Sequence, residues 1–321
     1  MHKFTVTTNH LALKAMIISL SFILCLAALY AQQTTFTPDD FQSLHAQSEV
    51  KAHTEIEKKM KEAEDQAEQA LIREAVEVIE DTKKAITALN QKQDKEALDI
   101  LTRATGKIDI LLDSYPQEAL LPVNFKIKVI ETAPQKIESI KQISKIAENA
   151  MKNKNYPHTR LLLDILRSEI NIRTYNLPLA LYPTALKKAA RAVEQQKADE
   201  AINILGTALN TLVVINQIVP LPVIKAKIML TAAEEQHQKA KDVALKLIRK
   251  ARYEMELAKE LGYTGGDETY TTLKKAIDDL EKQVKSNIVK SSTFANLKEK
   301  MGTFLKRLSD LKHQSHKPEK E

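Results

Sequence analysis

Lys83–Leu112 reads KKAITALNQKQDKEALDILTRATGKIDILL, and Lys187–Asn216 reads KKAARAVEQQKADEAINILGTALNTLVVIN. At an ungapped offset of 104, ten positions are identical: Lys83, Lys84, Ala85, Ala88, Gln91, Glu96, Ala97, Ile100, Leu101 and Ala104. Most other positions keep their apolar character, as in Leu89/Val193, Leu98/Ile202 and Ile108/Leu212. A fainter copy lies between them at Ala147–Ile172, where Thr159, Leu163 and Ile170 take the places of Ala97, Leu101 and Ile108. Each copy is a helix, a polar turn (NQKQD, KNKNY, QQKAD) and a second helix with small or apolar residues at i, i+3, i+4 and i+7. Such a hairpin leaves one face apolar and must stack on a neighbour to bury it.

After the hairpins the period changes to two. Val123–Val129 alternates apolar and polar residues, Ile170–Tyr175 does the same, and Leu212–Val219 is rich in β-branched residues. These runs read as strands. Pro122 precedes the first; Asn176–Pro183 and Val219–Pro222 close the other two, since proline ends both helix and strand. The expected fold class is therefore mainly α: stacked helical hairpins from an internal duplication, with a small antiparallel sheet of about three short strands.

Flanking segments extend the helical body. Thr37-Pro38-Asp39-Asp40 is a helix start, and the chain from there to about Asn90 has no Gly or Pro. Within it Ile56, Met60, Ala63, Ala67 and Ala70 form a shallow seam suited to packing on the protein's own body. Val223–Leu261 reads as one long helix or two joined ones, stopped by Gly262 with Gly265-Gly266 close behind. A helix opens near Tyr270, another covers Thr293 to Leu311, and a frayed lysine-rich tail follows.

Composition agrees with this fold. The 321 residues are 43% hydrophobic, 28% charged and 5% aromatic, with 6 Gly, 10 Pro and no Trp, which excludes collagen-like, multi-span membrane and wholly disordered chains. The net charge is +6, unevenly placed: residues 32–100 carry 16 acids against 9 bases, and residues 271–321 carry 12 bases against 7 acids. The basic part is lysine on helices with few arginine or aromatic neighbours, so no nucleic-acid partner is expected.

The first segment is an address. Lys3 and Lys14 precede the uncharged run Ala15–Ala31, AMIISLSFILCLAALYA, the pattern of a secretory signal cleaved after Ala31. The run is also long enough to be kept as an anchor, and membrane attachment is expected only in that case. Either way the body lies on the far side of the membrane. Cys25, the single cysteine, sits inside the run after Leu24, which is not the small residue a lipoprotein needs. The chain after Ala31 therefore has no thiol for a disulfide, a nucleophile or a thiolate metal site.

Four stretches resemble the YfdX family of bacterial periplasmic proteins: Leu120–Ile130 (LLPVNFKIKVI), Ser168–Ala185 (SEINIRTYNLPLALYPTA), Lys197–Ala226 (KADEAINILGTALNTLVVINQIVPLPVIKA) and Ala251–Tyr263 (ARYEMELAKELGY). The similarity is collinear from about Ala75 to Glu281. It divides the chain into a signal peptide (1–31), an N-terminal charged helix (32–74), a YfdX-like hairpin domain (75–284) and a basic C-terminal helix and tail (285–321). The resemblance implies periplasmic location, a mainly helical fold, self-association, a link to envelope stress including acid and drug tolerance, and chaperone-like binding of other polypeptides. It brings no catalytic residues.

On its own terms the sequence offers little chemistry. His45, His53, His158 and His237 have no carboxylate partner at metal-site spacing, and His313 and His316 sit on a lysine-rich tail. Nucleophile-elbow and phosphate-loop motifs are absent, so no enzyme activity, cofactor or metal is expected. The candidate partner-binding surface is the proline-framed pair of segments: Leu177, Pro178, Leu179, Leu181, Tyr182, Pro183, Val219, Pro220, Leu221 and Pro222. These residues either fill the gap between sheet and helices or line a groove for an extended apolar chain. The expected function is a non-catalytic stress protein that binds client or partner polypeptides and forms homo-oligomers. The alternatives are a periplasmic small-molecule binder or hydrolase with an unrecognised site, and a membrane-tethered helical spacer.

Overall fold

In this computed structural model the residues described are 38–290, 292–310 and the backbone of 313–315. The signal segment, Thr37 and the tail beyond residue 315 lie outside the described residues, as do the side chains of His45, His313 and His316. The chain divides into two units, residues 1–46 and 47–321. Of the first, the helical backbone from Pro38 is described, with Ser43 and Ala46 exposed.

The element order is α1 (Pro38–Gln69), α2 (Arg73–Asn90), α3 (Asp94–Ser114), β1 (Leu120–Glu131), α4 (Ile137–Lys152), α5 (Tyr156–Ile165), β2 (Ser168–Pro178), α6 (Tyr182–Glu194), α7 (Ala198–Asn210), β3 (Val213–Pro220), α8 (Leu221–Gln236), α9 (Lys241–Glu260), α10 (Glu268–Lys285), α11 (Thr293–Asp310) and β4 (His313–Ser315). The duplication thus resolves into three helix–helix–strand repeats: α2-α3-β1, α4-α5-β2 and α6-α7-β3. Their hairpin turns share one backbone device. Lys92, Lys154 and Gln196 occupy equivalent positions with φ of 59°, 57° and 59°. In each turn the next residue's N–H closes on the carbonyl five residues back, Gln93 on Ala88, Asn155 on Ala150 and Lys197 on Ala192. This is a Schellman-type stop built without glycine.

The middle copy departs from its neighbours. Its second helix, α5, has 10 residues where α3 has 21, so Ile170 falls in a strand although its counterpart Ile108 is helical. The β-branched alternation Ile170-Asn171-Ile172 favours extended backbone once the helix ends at Ile165.

The strands form one antiparallel sheet in the order β1-β2-β3-β4. Three strands are long, and β4 is a three-residue addition to the β3 edge where the sequence reads a frayed tail. Pro122 lies inside β1 at a register shift rather than before it, and its carbonyl accepts the Ile72 N–H at the start of α2. Central β2 buries both faces over Ser168–Ile172, while β1 is an edge strand.

Two packing centres surround the sheet. In the first, α2 packs on α7 and α3 on α6, enclosing Val78, Leu101, Ile108, Tyr182, Leu186 and Leu205. Tyr182 donates from its hydroxyl to Thr82 Oγ1 (3.1 Å), and burial pushes its pKa up to about 12. In the second, α8 packs on α9, β2 and α11. Helix α8 is buried on every side, with Leu221, Ile224, Ile228 and Met229 among its core residues, which suits a central helix. The Val223–Leu261 run breaks into α8 and α9 at 237–240. Along α1, Ala52 and Ile56 are buried and Met60, Ala63 and Ala67 are half-buried, so most of the expected seam lies against the body; Ala70 is exposed. No helix among the described residues is long and apolar enough to cross a membrane.

Candidate interaction surface

Eight of the ten residues in the proline-framed segments are buried, so they fill the space between sheet and helices rather than lining an open groove. Leu177 and Pro178 close β2 against β1, Tyr182 plugs the first core, and Val219 to Pro222 carry β3 into α8. Pro183 is half-buried and Leu181 is 61% exposed. The physical reason is the proline geometry itself: Pro183 and Pro222 sit in the first turns of α6 and α8, and this draws the preceding apolar residues inward.

The exposed apolar surface lies elsewhere, on the middle hairpin. Ile146, Met151, Tyr156, Leu161, Leu163 and Ile165 are all large, apolar and exposed on α4 and α5. Val129 of the edge strand β1 is exposed too. The opposite face of the hairpin is anchored. Ile140 and Leu166 pack with Leu257 of α9. Tyr253 of α9 donates to the Gln135 carbonyl (2.7 Å) and accepts the Ile137 N–H (3.3 Å), pinning the start of α4. At the far end, the Tyr263 hydroxyl accepts the Ser168 N–H (2.7 Å) and donates to buried Glu169 (2.9 Å), which Arg167 also grips at 2.6 Å. Burial and the Glu169 charge push the Tyr263 pKa upward. The hairpin is therefore anchored along one side and carries exposed apolar side chains elsewhere.

The repeat shows how unusual this is. Met151 is 49% exposed, whereas its counterparts Leu89 and Val193 are 3% and 5% exposed. Leu163 is 50% exposed, whereas Leu101 and Leu205 are fully buried. The repeat in the sequence places Leu163 with Leu101; its exposure depends on which hairpin packs on which, and no spacing carries that.

Titratable groups form mostly salt-bridge networks. Asp81 is held by Arg103 (3.0 Å) and Lys107 (3.1 Å), which outweigh its burial and lower its pKa. Glu281 is held by Arg249, Arg252 and Lys285 at 2.8–3.2 Å, with the same result. Glu254 on α9 differs: burial, with Glu49 and Glu131 nearby, raises its pKa to about 7 against the opposing pull of Lys225 and Lys250. His53 pairs with Glu57 on an exposed face, and His237 Nδ1 meets the Glu234 carbonyl at 2.6 Å. Among the described residues no group of three His, Cys, Asp or Glu side chains is placed to hold a metal. The groove between α10 and α11, about 540 Å³, is lined by Thr272, Asn296, Lys300 and Arg307 and opens to solvent.

Fold and surface together define a class: a three-repeat helix–helix–strand protein with one uncovered hairpin. Residues 78–218, from within α2 to within β3, match the family model described as YfdX protein. A solved structure of Salmonella Typhi YfdX is 18% identical, with 47% of this chain and 93% of that chain covered and a TM-score of 0.32. Among curated proteins none matches.

Proposed function

We propose that this chain is a non-catalytic periplasmic stress protein that binds partner or client polypeptides in a chaperone-like manner and associates with itself. The observation that carries this reading is the set of large apolar side chains exposed on α4 and α5, a hairpin anchored by Tyr253 and Tyr263. Apolar patches of this kind on a folded chain serve contacts with other polypeptides. The leader pattern and the YfdX resemblance support export and a stress setting. The test is suppression of aggregation of an acid-unfolded client by equimolar protein. The native chain keeps the client in solution, and Leu161→Ser with Leu163→Ser removes that effect while the circular-dichroism melt is unchanged. Equal suppression by the double variant, or none by the native chain, overturns the reading.

A further inference from the structure

Helices α1, α8 and α11 lie outside the stretch that matches the family model, and residues of all three line one cleft. It has two stretches, of about 430 and 410 Å³, which share Lys59, Lys227 and Leu305. The first is largely apolar: Val50, Ile224, Ile228 and Leu305 line it, and Val50 is 67% exposed at its rim. The second is polar, with Gln66 of α1, Gln217 of β3, and Lys306 and Ser309 of α11 around it. Lys227 of α8 stands where the two meet. Its ammonium lies beside Gly302 of α11, where a Cβ would come within 3.8 Å of it. Nearby lysines are engaged: Lys59 with Glu62 (2.5 Å), Lys51 with Glu235 (3.2 Å) and Lys225 with Glu131 (2.5 Å). Lys227 is half-buried, and among the described residues its ammonium has no hydrogen bond or ion pair.

We propose that this cleft binds a fatty acid, with the carboxylate on Lys227 and the acyl chain in the apolar stretch towards Val50. A half-buried ammonium without a partner carries a desolvation cost that nothing in the chain offsets, and a carboxylate supplies the missing charge-assisted hydrogen bond. The acyl chain displaces water from Ile224, Ile228 and Leu305, which favours binding in proportion to the apolar area covered. Each stretch is as large as ordinary small-molecule sites, which run from about 300 to 1,000 Å³. Val50 and Lys59 are nine residues apart on α1, about 14 Å along the helix, which suits a medium-length chain such as dodecanoate. Glu55, Glu62 and Asp310 share the walls, so the cleft accepts one negative charge and disfavours a dianion such as a phosphate monoester. The cleft is built from other elements than the α4–α5 hairpin, so the proposal stands apart from polypeptide binding.

Titration calorimetry with sodium dodecanoate below its micellar concentration tests this. The native chain is expected to bind one dodecanoate per chain. Lys227→Met keeps the aliphatic stem and removes the charge, and is expected to weaken binding at least about tenfold. Thr54→Trp, an exposed position of α1 on the apolar stretch, fills the path of the acyl chain and is expected to weaken it as much while leaving Lys227 in place. Both variants are expected to keep the native thermal melt. Dodecyltrimethylammonium, the same chain with the opposite charge, is expected to bind at least about tenfold more weakly than dodecanoate. Leu161→Ser with Leu163→Ser is expected to leave dodecanoate binding unchanged. No binding by the native chain, native affinity in either cleft variant, or equal binding of the cationic amphiphile overturns the proposal. Loss of binding in the hairpin variant instead moves the acyl chain to α4 and α5 and overturns it as well.

Discussion

Single residues at the hairpin turns show where local chemistry yields to the fold. Lys92, Lys154 and Gln196 each hold a left-handed conformation that costs an L-residue with a side chain about 1–2 kcal/mol. Glycine removes that strain and returns part of the gain as lost chain entropy. Lys92→Gly is therefore expected to stabilise the protein by about 0.5–1 kcal/mol, read as a higher urea midpoint at constant slope. A lower midpoint contradicts the account. The repeat supplies a second residue-scale contrast. Leu101→Ala opens a cavity in a fully buried site and is expected to cost about 2–5 kcal/mol. Leu163→Ala, the same change at the equivalent exposed site, is expected to stay within about 0.5 kcal/mol in the dissociated protein. Equal losses at the two positions show that the middle hairpin is covered within the chain after all.

At the scale of elements, α9 carries both the anchor of the middle hairpin and a proton site. Glu254 faces Lys225 of α8, Glu49 of α1, Glu131 at the end of β1 and Lys250 one turn earlier on its own helix. Lys225 bonds to Glu131 at 2.5 Å and Lys250 reaches Glu49 at 3.8 Å, so the cations are shared and Glu254 keeps its proton up to about pH 7. The folded state therefore binds more protons than the unfolded one between the ordinary glutamate pKa and 7. The stability from this group is present at low pH and is lost as pH rises through that window. Glu254→Gln is expected to leave stability at pH 4 unchanged and to raise it at pH 8 by on the order of 2 kcal/mol, since Glu254 is only partly buried. Parallel pH profiles of the two proteins contradict the assignment.

Elements were also the scale at which the sequence was most readable. Lys83–Leu112 and Lys187–Asn216 preserve the alanines that let paired helices approach, so both hairpins and their turns were legible. The three strands followed from period-two runs of β-branched residues. Short α5 was less legible, because Leu161-Leu162-Leu163 suits a helix and nothing local marks its end before Arg167. The proline-framed segments misplaced the surface for a related reason. Leu177, Leu179 and Leu221 are apolar whether buried or exposed, and only tertiary packing decides which way they face.

For the whole molecule the decisive fact is that three repeats make an odd number of hairpins, while hairpins cover one another in pairs. The first and third pair within the chain, while the second is supported by α9 and the turn that follows it. Its stability in isolation must then be the lowest of the three, since few buried apolar contacts oppose local opening. Amide hydrogen exchange followed at two protein concentrations reads this directly. In dilute solution the amides of α5 are expected to exchange at least an order of magnitude faster than those of α3 and α7, which share the first core. Raising the concentration through the association range is expected to slow exchange in α4 and α5 alone, because binding stabilises only the elements it covers. Uniform protection of all three hairpins at low concentration shows that the middle one has no need of a partner. Slowing confined to the edge strand β1 moves the contact from the hairpin to the sheet.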